Sequence, residues 1–358
     1  MSRFLSERFA ELAAYTPGEQ PAGTEYIKLN TNESPYPPSP GVIAAINDSE
    51  TGKLNLYPNP DGVRLISKLA EFYGVAHENV IIGNGSDELL AFAFLAFCDG
   101  GRGVAFPDIT YGFYPVYAEL FGIPYKQIPL KEDFSLTPAD YFNINTNVVI
   151  ANPNAPTGIA IETGDIEEIA RTNPDHIVLV DEAYVDFGAE SAIPLMHEYD
   201  NLLIVHTYSK SRSMAGARMS FAIGSAPVIE DMNKMKYSFN PYNVNRLTQI
   251  MAEAALSEDS YYMDKRGEIV ATRAYSEAKL RELGFLMTDS KANFLFAKHP
   301  RVNGQVMYAA LKDRGILVRN WNKPRISDYL RITIGTREQM DILIAAIKAI
   351  LTESGERV

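Results

Sequence analysis

Residues 202–210 read Leu-Leu-Ile-Val-His-Thr-Tyr-Ser-Lys, a short apolar, β-branched run that ends directly in polar residues and a lysine. Such a run is typical of a buried strand. Similar runs occur at Val80-Ile-Ile, Gly103-Val-Ala-Phe, Val148-Val-Ile-Ala, Ile177-Val-Leu-Val and Ser220-Phe-Ala-Ile. Helical patterns lie between several of them, at 63–73, 86–98 and 164–172. This alternation predicts an α/β fold with a mainly parallel, doubly wound sheet.

The C-terminal part of the chain predicts a second, smaller α+β domain. A long helical pattern runs from about 243 to 283, and strand and helix patterns follow it at 292–297, 303–314, 329–334 and 336–352. Residues 15 to 40 are rich in Pro, Gly and Asn and predict an extended arm. We therefore expect an arm over 1–40, a large domain over 41–245, and a connecting helix with the small domain over 246–358.

The bulk composition narrows the class of protein. The chain has 358 residues, 46% of them hydrophobic, and a formal net charge of -12. The acidic balance disfavours nucleic acid or an anionic membrane as a partner. Cys98 is the only cysteine, so an internal disulfide is impossible, no metal site is expected, and Cys98 is interpreted as a buried helix residue. No apolar stretch resembles a signal peptide or a membrane span, so we expect the cytoplasm.

Polar and aromatic residues follow five of the predicted strands. They are the segments Gly83-Asn-Gly-Ser-Asp-Glu88, Pro107-Asp-Ile-Thr-Tyr111, Asn152-Pro-Asn-Ala-Pro-Thr-Gly158, Asp181-Glu-Ala-Tyr184 and His206-Thr-Tyr-Ser-Lys210. In an open parallel sheet, ligands bind beyond the carboxyl ends of the strands. The five segments are therefore predicted to meet in one crevice.

The residue types in this crevice suit pyridoxal-phosphate chemistry. A lysine such as Lys210 can form a Schiff base with the cofactor and move a proton on the substrate. A buried carboxylate such as Asp181 can keep the cofactor ring nitrogen protonated, which the ring needs in order to withdraw electrons. We expect both residues, together with Tyr184, to be catalytic.

The remaining groups suit the cofactor's phosphate and ring. The turn Gly85-Ser86-Asp87 opens a predicted helix, and backbone N–H groups at a helix start bind phosphate. Ser209 and Arg218 can supply a hydroxyl and a cation. Tyr111 is predicted to stack on the ring, and Tyr184 to donate to the ring oxygen.

The same residues form the motifs of a known family. The segments are Asn30-Thr-Asn-Glu-Ser-Pro, Leu56-Tyr-Pro, Gly83-Asn-Gly-Ser-Asp-Glu, Thr110-Tyr-Gly, Asn152-Pro-Asn-Ala-Pro-Thr-Gly, Asp181-Glu-Ala-Tyr, Tyr208-Ser-Lys and Leu330-Arg-Ile-Thr-Ile-Gly-Thr. In these the chain resembles the fold-type I aminotransferases, and among them it is most similar to the histidinol-phosphate aminotransferases. The resemblance runs from about Tyr15 to the C-terminus and is more specific for fold and cofactor than for substrate.

The resemblance implies further roles. It assigns the cofactor to Lys210 and the phosphate to Ser86, Asp87, Ser209 and Arg218. Tyr57 resembles a tyrosine that reaches the neighbouring subunit's cofactor, which implies a homodimer with shared sites and an arm that also packs on the partner. Arg331 resembles the arginine that binds the substrate carboxylate. Tyr15, Asn32 and Arg319 resemble substrate-side residues, and Arg319 is expected to meet a substrate phosphate.

The chain departs from the family pattern at one position. The family has an asparagine directly before Pro-Thr-Gly, where it bonds the ring oxygen, whereas this chain has Ala155. We expect the preceding Asn154 to take over that contact. Arg212, two residues after Lys210, is interpreted as a solvated helix residue, with a phosphate role as the alternative.

The resemblance implies an amino-group exchange between glutamate and a keto substrate, imidazole acetol phosphate, to give histidinol phosphate. Two alternatives keep the fold: an aromatic amino acid aminotransferase and an enzyme that decarboxylates a phosphorylated amino acid such as threonine phosphate. A catalytically silent regulator is disfavoured because Lys210, Asp181, Tyr184 and Arg218 are all retained. A nicotinamide-dependent dehydrogenase is disfavoured because no complete Gly-x-Gly-x-x-Gly follows a strand.

Overall fold

The computed structural model describes residues 3–21, 25–99 and 101–353. Its strands are β1 (Ile27–Lys28), β2 (Val80–Gly83), β3 (Val104–Pro107), β4 (Tyr125–Ile128), β5 (Asn147–Ala151), β6 (Val178–Asp181), β7 (Leu202–Thr207), β8 (Ser220–Gly224), β9 (Leu286–Met287), β10 (Phe294–Lys298), β11 (Ile316–Leu317), β12 (Arg319–Asn320) and β13 (Leu330–Thr333). Its α-helices are α1 (Pro40–Ala45), α2 (Asp48–Thr51), α3 (Val63–Tyr73), α4 (Ser86–Phe97), α5 (Phe113–Phe121), α6 (Thr163–Thr172), α7 (Ala226–Phe239), α8 (Arg246–Ser257), α9 (Asp259–Glu282), α10 (Gly304–Asp313) and α11 (Arg337–Glu353).

The large sheet confirms the predicted α/β architecture. Among the described residues its seven strands follow the order β2-β8-β7-β6-β5-β3-β4. Strand β8 runs in the direction opposite to the other six strands of this sheet. The strands β2, β3, β5, β6 and β7 therefore end at the same edge, where their polar segments begin.

Both faces of this sheet are covered, which is why its central strands are apolar throughout. Ile150, Val180 and Ile204 belong to the core on one face. Their neighbours Val149 and Leu179 belong to the core on the other. Successive side chains of a strand point to opposite faces, so a strand buried on both sides is uniformly apolar.

The smaller sheet is antiparallel, with the strand order β12-β13-β10-β9 in the described part of the chain. It shares a core with α10 and α11 that includes Leu295, Ile332 and Leu343. The N-terminal segment joins this unit through β1, which pairs in parallel with β11 so that Ile27 faces Ile316. The first two residues of the predicted arm and the last five of the predicted small domain lie outside the described residues.

The prediction of one helix over 243–283 is wrong, because two helices occupy this segment. Asn245 caps α8 by accepting the Thr248 N–H at 3.0 Å. Glu258 then leaves helical geometry, with φ -115° and ψ 36°, before α9 begins. Its carboxylate accepts the Gly41 N–H at 2.8 Å. This contact lies 217 residues away in sequence, so the local pattern carried no sign of the break.

Helices α8 and α9 connect the core of the large sheet with the core of the small sheet. Ala252 and Ala255 of α8 and Tyr262 of α9 belong to a core of the large sheet. Further along α9, Ile269 and Leu280 belong to the core of the small sheet. The change from one core to the other therefore takes place along α9, within the segment expected to connect the two domains.

Cys98 lies at the end of helix α4 and not within it. Helix α4 ends at Phe97, so the half-buried Cys98 caps the helix and is not the buried helix residue that was expected. Burial raises the pKa of its thiol to about 12.

Within residues 3–21, 25–99 and 101–353, no helix combines the length and apolar character that a membrane crossing requires.

Candidate active site

Direct contacts join the segments that follow the parallel strands. The Tyr111 hydroxyl, after β3, donates to Asp87 Oδ1 at 2.7 Å, at the start of α4. The Tyr114 hydroxyl donates to Asp181 Oδ2 at 3.0 Å, at the end of β6. The predicted convergence at one edge of the sheet is therefore present in the structure.

Asp181 is a buried carboxyl group whose pKa is raised toward neutral pH. It is 5% exposed. It accepts the Tyr114 hydroxyl and, through Oδ1, the Ala183 N–H at 3.2 Å. Burial nevertheless raises the pKa of Asp181 to about 6, more than these hydrogen bonds lower it. A cation beside this carboxylate would offset the cost of its ionisation.

Lys210 is a lysine that burial makes a better nucleophile. Burial first, and the nearby Arg331 second, lower the pKa of Lys210 to about 8. Its Nζ donates to the Thr31 carbonyl at 3.2 Å and lies 5.7 Å from the centre of the Tyr184 ring. A substantial neutral fraction near physiological pH leaves the amine able to attack a carbonyl carbon or accept a proton.

The turn before α4 is shaped for an anion. Gly85 has φ +80°, and a Cβ at this position would collide with the Arg218 guanidinium. Ser86 and Asp87 are the first residues of α4, where backbone N–H groups have no acceptor within the helix. Arg218 Nη2 lies 3.4 Å from Asp87 Oδ2. A small turn, a helix start and a cation at one place fit a phosphate group.

Two tyrosines complete the predicted cofactor pocket. Tyr184 accepts a hydrogen bond from Asn32 Nδ2 at 2.9 Å, and its ring packs edge-on against Phe294. Tyr111 packs edge-on against Tyr114. Burial raises the pKa of the Tyr184 and Tyr111 hydroxyls above the ordinary value, so both remain neutral donors. The buried Ser209 follows β7, and its N–H donates to Thr207 Oγ1 at 3.1 Å.

The structure does not support the expected contact of Asn154. Its side-chain amide donates to the Ile109 carbonyl at 2.9 Å and to Thr157 Oγ1 at 3.0 Å. Its side-chain oxygen accepts the Thr110 hydroxyl at 2.7 Å. Asn154 therefore holds its own loop together, which leaves no amide hydrogen for a ring oxygen. Ala155 is packed against neighbouring apolar side chains and supplies no donor.

The amide that reaches Tyr184 is that of Asn32, which was expected on the substrate side. Asn32 has φ 57° and is 1% exposed. Thr333 fixes its position by accepting the Asn32 N–H at 3.0 Å and by donating to its side-chain oxygen at 3.1 Å. This arrangement could not be predicted from a local sequence pattern, because Asn32 and Thr333 are 301 positions apart.

Arg319 and Arg331 lie side by side in the small sheet, where they are paired across β12 and β13. Arg319 donates to the carbonyls of Thr16 and Pro17, each at 2.9 Å. Arg331 Nη2 donates to the Asn30 carbonyl at 3.0 Å. Its buried Nε has no hydrogen-bond partner among the described residues. No carboxylate in the described residues pairs with Arg319 or Arg331, so their positive charges are not neutralised.

Tyr15 lies beside the predicted cofactor pocket and Tyr57 does not. Tyr15 stacks on Phe113 with ring centroids 4.2 Å apart and lies 6.2 Å from the Tyr111 ring. Burial raises the pKa of Tyr15, and the two arginines act on it in the opposite direction. Tyr57 is 76% exposed and stacks on Tyr242 at 4.4 Å.

The interpretation of Arg212 as a solvated residue is wrong. Its side chain is 7% exposed and forms an ion pair with Asp259 at 2.6 Å. It also lies over the rings of Phe72, Tyr208 and Tyr262. The segment after Lys210 is not an α-helix, so a helical exposure pattern did not apply. Arg212 anchors the Lys210 segment to the start of α9.

A cleft with a volume of about 760 Å³ lies elsewhere and is lined by residues of the segments 133–135, 159–162, 188–190 and 286–289. Among its described lining residues is none of those that the sequence assigned to the site. The site assigned from the sequence is therefore recognised by the chemistry of Lys210, Asp181 and the turn before α4, and not by cavity size.

Comparisons with known proteins agree with this geometry. A sequence model of the family "Aminotransferase class I and II" matches residues 24–347. A histidinol-phosphate aminotransferase of Marinomonas sp. is 51% identical over 353 residues, which cover 98% of this chain and 100% of that protein. One from Brachyspira hyodysenteriae is 48% identical, with coverage of 98% and 99%. The crystal structure of histidinol-phosphate aminotransferase from Sinorhizobium meliloti in complex with pyridoxal-5'-phosphate has a TM-score of 0.87 at 22% identity, and the match covers 98% of this chain and 100% of that one.

Proposed function

Since the chain belongs to the class I and II aminotransferases, and within them to the histidinol-phosphate aminotransferase family, we propose that it transfers an amino group between histidinol phosphate and 2-oxoglutarate. The products are imidazole acetol phosphate and glutamate, and the reaction belongs to histidine biosynthesis. Identities of 48% and 51% over nearly the whole chain support this assignment.

The observation that carries the proposal is the pair Arg319 and Arg331 beside a buried Lys210. Both reaction partners carry anionic groups, namely carboxylates on glutamate and a phosphate on histidinol phosphate. Two arginines without a contacting carboxylate among the described residues suit such groups, because guanidinium binds carboxylate and phosphate through paired hydrogen bonds.

The cofactor of this reaction is pyridoxal 5'-phosphate, and the residues fit it. When bound, the cofactor supplies a carbonyl that takes the amino group and a ring that withdraws electrons from the substrate carbon. Lys210 would bind that carbonyl, and Asp181 would face the ring nitrogen. The turn Gly85-Ser86-Asp87, with Ser209 and Arg218, would hold the phosphate. Tyr111 and Tyr184 would hold the ring.

The chain's own groups divide the remaining work. Lys210 Nζ, neutral in part because its pKa is lowered to about 8, would take a proton from the substrate Cα and deliver it to the cofactor carbon bonded to the amino nitrogen. Asp181 would accept a hydrogen bond from the protonated ring nitrogen, and that positive charge would stabilise its ionised form. Asn32 fixes the position of the Tyr184 hydroxyl by donating a hydrogen bond to it.

A homodimer is part of the same proposal. Tyr57 and its neighbours Leu54 and Leu56 are 76%, 60% and 56% exposed, and Phe239 is 75% exposed. Large exposed apolar side chains in one region favour a protein interface. A second copy would cover them and bring Tyr57 to the partner's cofactor phosphate. The cytoplasmic location expected from the sequence is proposed with it.

The test is a steady-state assay of the purified, cofactor-loaded protein with histidinol phosphate and 2-oxoglutarate, with glutamate as the measured product. We expect histidinol phosphate to be preferred over phenylalanine, tyrosine and phosphothreonine as amino donor. A clear preference for an aromatic amino acid would replace the substrate assignment. Carbon dioxide release from phosphothreonine without glutamate formation would replace the reaction type.

A further inference from the structure

The pairing of Arg319 with Arg331 poses an electrostatic problem. They are directly opposite each other in the β12–β13 pair. Like charges at such positions destabilise a sheet. The described contacts of their side chains with main-chain groups go to carbonyls, of Thr16 and Pro17 for Arg319 and of Asn30 for Arg331. No carboxylate in the described residues forms an ion pair with either one, and the attraction between Glu19 and Arg319 acts only over a longer distance.

Trp321 is the group that lies against both cations. It directly follows β12, two residues after Arg319. The Arg319 guanidinium carbon lies 5.6 Å from the indole centre, and the Arg331 guanidinium carbon lies 5.3 Å from it. Both distances fall within the range of cation–π attraction, which is strongest for tryptophan. Trp321 is also the only tryptophan of the chain.

We infer that Trp321 is a positioning residue that holds Arg319 and Arg331 side by side as one anion pocket and thereby sets the enzyme's preference for phosphate-bearing and dicarboxylate substrates. This inference rests on the proposed function, because it names the residue that prepares the substrate end of that same site. Trp321 acts through the arginines and not on the reacting atoms.

The physical reason is preorganisation. Without the indole, two cations that repel each other would separate or turn toward solvent. Substrate binding would then have to bring them together again, and that free energy would be taken from affinity. The loss should raise KM and leave kcat nearly unchanged, since the bond-making groups Asp181 and Lys210 lie at the end of β6 and in the segment after β7, away from the small sheet.

The variants Trp321→Leu and Trp321→Phe separate the ring from simple packing. In Trp321→Leu we expect KM for histidinol phosphate and for 2-oxoglutarate to rise about tenfold, the order of magnitude expected for the loss of two cation–π contacts. In Trp321→Phe, which keeps an aromatic face, we expect most of that affinity to return. Equal KM values in the wild type and Trp321→Leu would overturn the inference.

A second measurement needs no substitution at Trp321. In the cofactor-loaded protein the fluorescence of this single tryptophan should change saturably on titration with inorganic phosphate and with glutamate, because anions would neutralise the cations on its ring. Arg319→Ala should weaken the response to phosphate at least several-fold. Arg314→Ala is the matched control, because Arg314 pairs with Glu353 on the surface of the same unit, and it should respond like the wild type.

The outcomes distinguish this inference from the proposed function. A saturable response that Arg319→Ala abolishes, in a protein that does not turn over histidinol phosphate, supports the pocket and overturns the substrate. Turnover of histidinol phosphate with a tryptophan signal that no anion changes supports the substrate and overturns the role of Trp321.

Discussion

At the residue scale, Asp181 and Lys210 show how burial prepares a reactive pair. Burial disfavours the charged form of any group, so it raises the pKa of an acid and lowers that of a base. The pKa of Asp181 rises to about 6, and that of Lys210 falls to about 8. Each group is therefore held near its titration point, where a bound partner can decide its charge.

The role of Lys210 is tested by Lys210→Ala. We expect turnover to fall by at least about a thousandfold, because the lysine both binds the cofactor and moves the proton. The variant should also lack the visible absorbance of a lysine-bound cofactor. Lys298→Ala is a suitable control, since Lys298 belongs to the small sheet and its amine lies over the Tyr329 ring. Turnover near the wild-type rate in Lys210→Ala would rule out the mechanism.

The pKa of Asp181 predicts a pH-dependent stability of the cofactor-free protein. Because its pKa is raised from 3.8 to about 6 on folding, the folded state binds more protons between these values and loses stability as pH rises through them. Asp181→Asn removes this cost. At pH 7 to 8 it should stabilise the cofactor-free protein by about 3 kcal/mol, and the gain should vanish below about pH 4.

Denaturant unfolding of both proteins at several pH values measures this difference. Turnover of Asp181→Asn should be lost although its cofactor-free form is more stable. A variant that is less stable than the wild type at pH 7 would show that Asp181 is ionised and compensated without a cofactor.

Asn154 shows where residue-level prediction from sequence ended. The place of the loop Asn152–Gly158 at the end of β5, beside the segment that follows β6, was predictable from motif and strand order. The direction of one side chain was not, because the contacts of Asn154 with Ile109 and Thr110 come from another strand end. The role of Asn32 depends in the same way on Thr333, in the small sheet.

The corrected role of Asn154 predicts a stability effect. Asn154→Ala removes three buried hydrogen bonds and should destabilise the fold by about 2–3 kcal/mol. Its kcat should change by less than about threefold, because no reacting group is lost. Asn32→Ala should instead lower kcat clearly, because it removes the hydrogen bond that positions the Tyr184 hydroxyl. An Asn154→Ala protein of normal stability and lost turnover would return Asn154 to the cofactor.

At the element scale, the strands that could be recognised from the sequence are those that are buried along their whole length. Strands β5, β6 and β7 are buried along their whole length and were recognised from apolar runs alone. Strand β4 was not recognised because Tyr125, Lys126 and Gln127 are exposed at the edge of the sheet. The two-residue strands β1, β11 and β12 exist through pairing with distant segments, which a local pattern does not contain.

The Arg212–Asp259 pair predicts a large stability effect at the junction of α8 and α9. Arg212→Met should destabilise the protein by about 2–4 kcal/mol, because it leaves Asp259 without its partner and disrupts the packing of three aromatic rings. Arg171→Met is the matched control, since the Arg171–Glu168 pair is exposed and should contribute less than about 1 kcal/mol. Similar effects of the two substitutions would remove the anchoring role of Arg212.

At the scale of the whole molecule, the site is assembled from parts that are distant in sequence. In the proposed site, the arm contributes Tyr15 and Asn32, the large domain Asp181 and Lys210, and the small sheet Arg331. The family resemblance predicted this set, but only tertiary contacts such as Arg319 with Thr16 and Pro17 show how the arm is held beside the arginines.

The proposed homodimer is tested by Leu56→Asp. Leu56 precedes Tyr57 and is 56% exposed, so a carboxylate there should disfavour a buried apolar interface. We expect sedimentation to show a dimer for the wild type and a monomer with reduced cofactor affinity for the variant. Ile342→Asp, which changes an apolar residue of α11 that is 44% exposed, should leave the dimer intact. A fully active wild-type monomer would contradict shared sites.

The most direct test of the central claim is a half-reaction. Cofactor-loaded protein is mixed with histidinol phosphate in the absence of any keto acid, and its visible absorbance is recorded. We predict that the band of the lysine-bound cofactor is lost, that the band of pyridoxamine phosphate replaces it, and that 2-oxoglutarate restores the original spectrum. An unchanged spectrum with histidinol phosphate, in a protein whose spectrum does respond to glutamate, would contradict the assignment of the substrate.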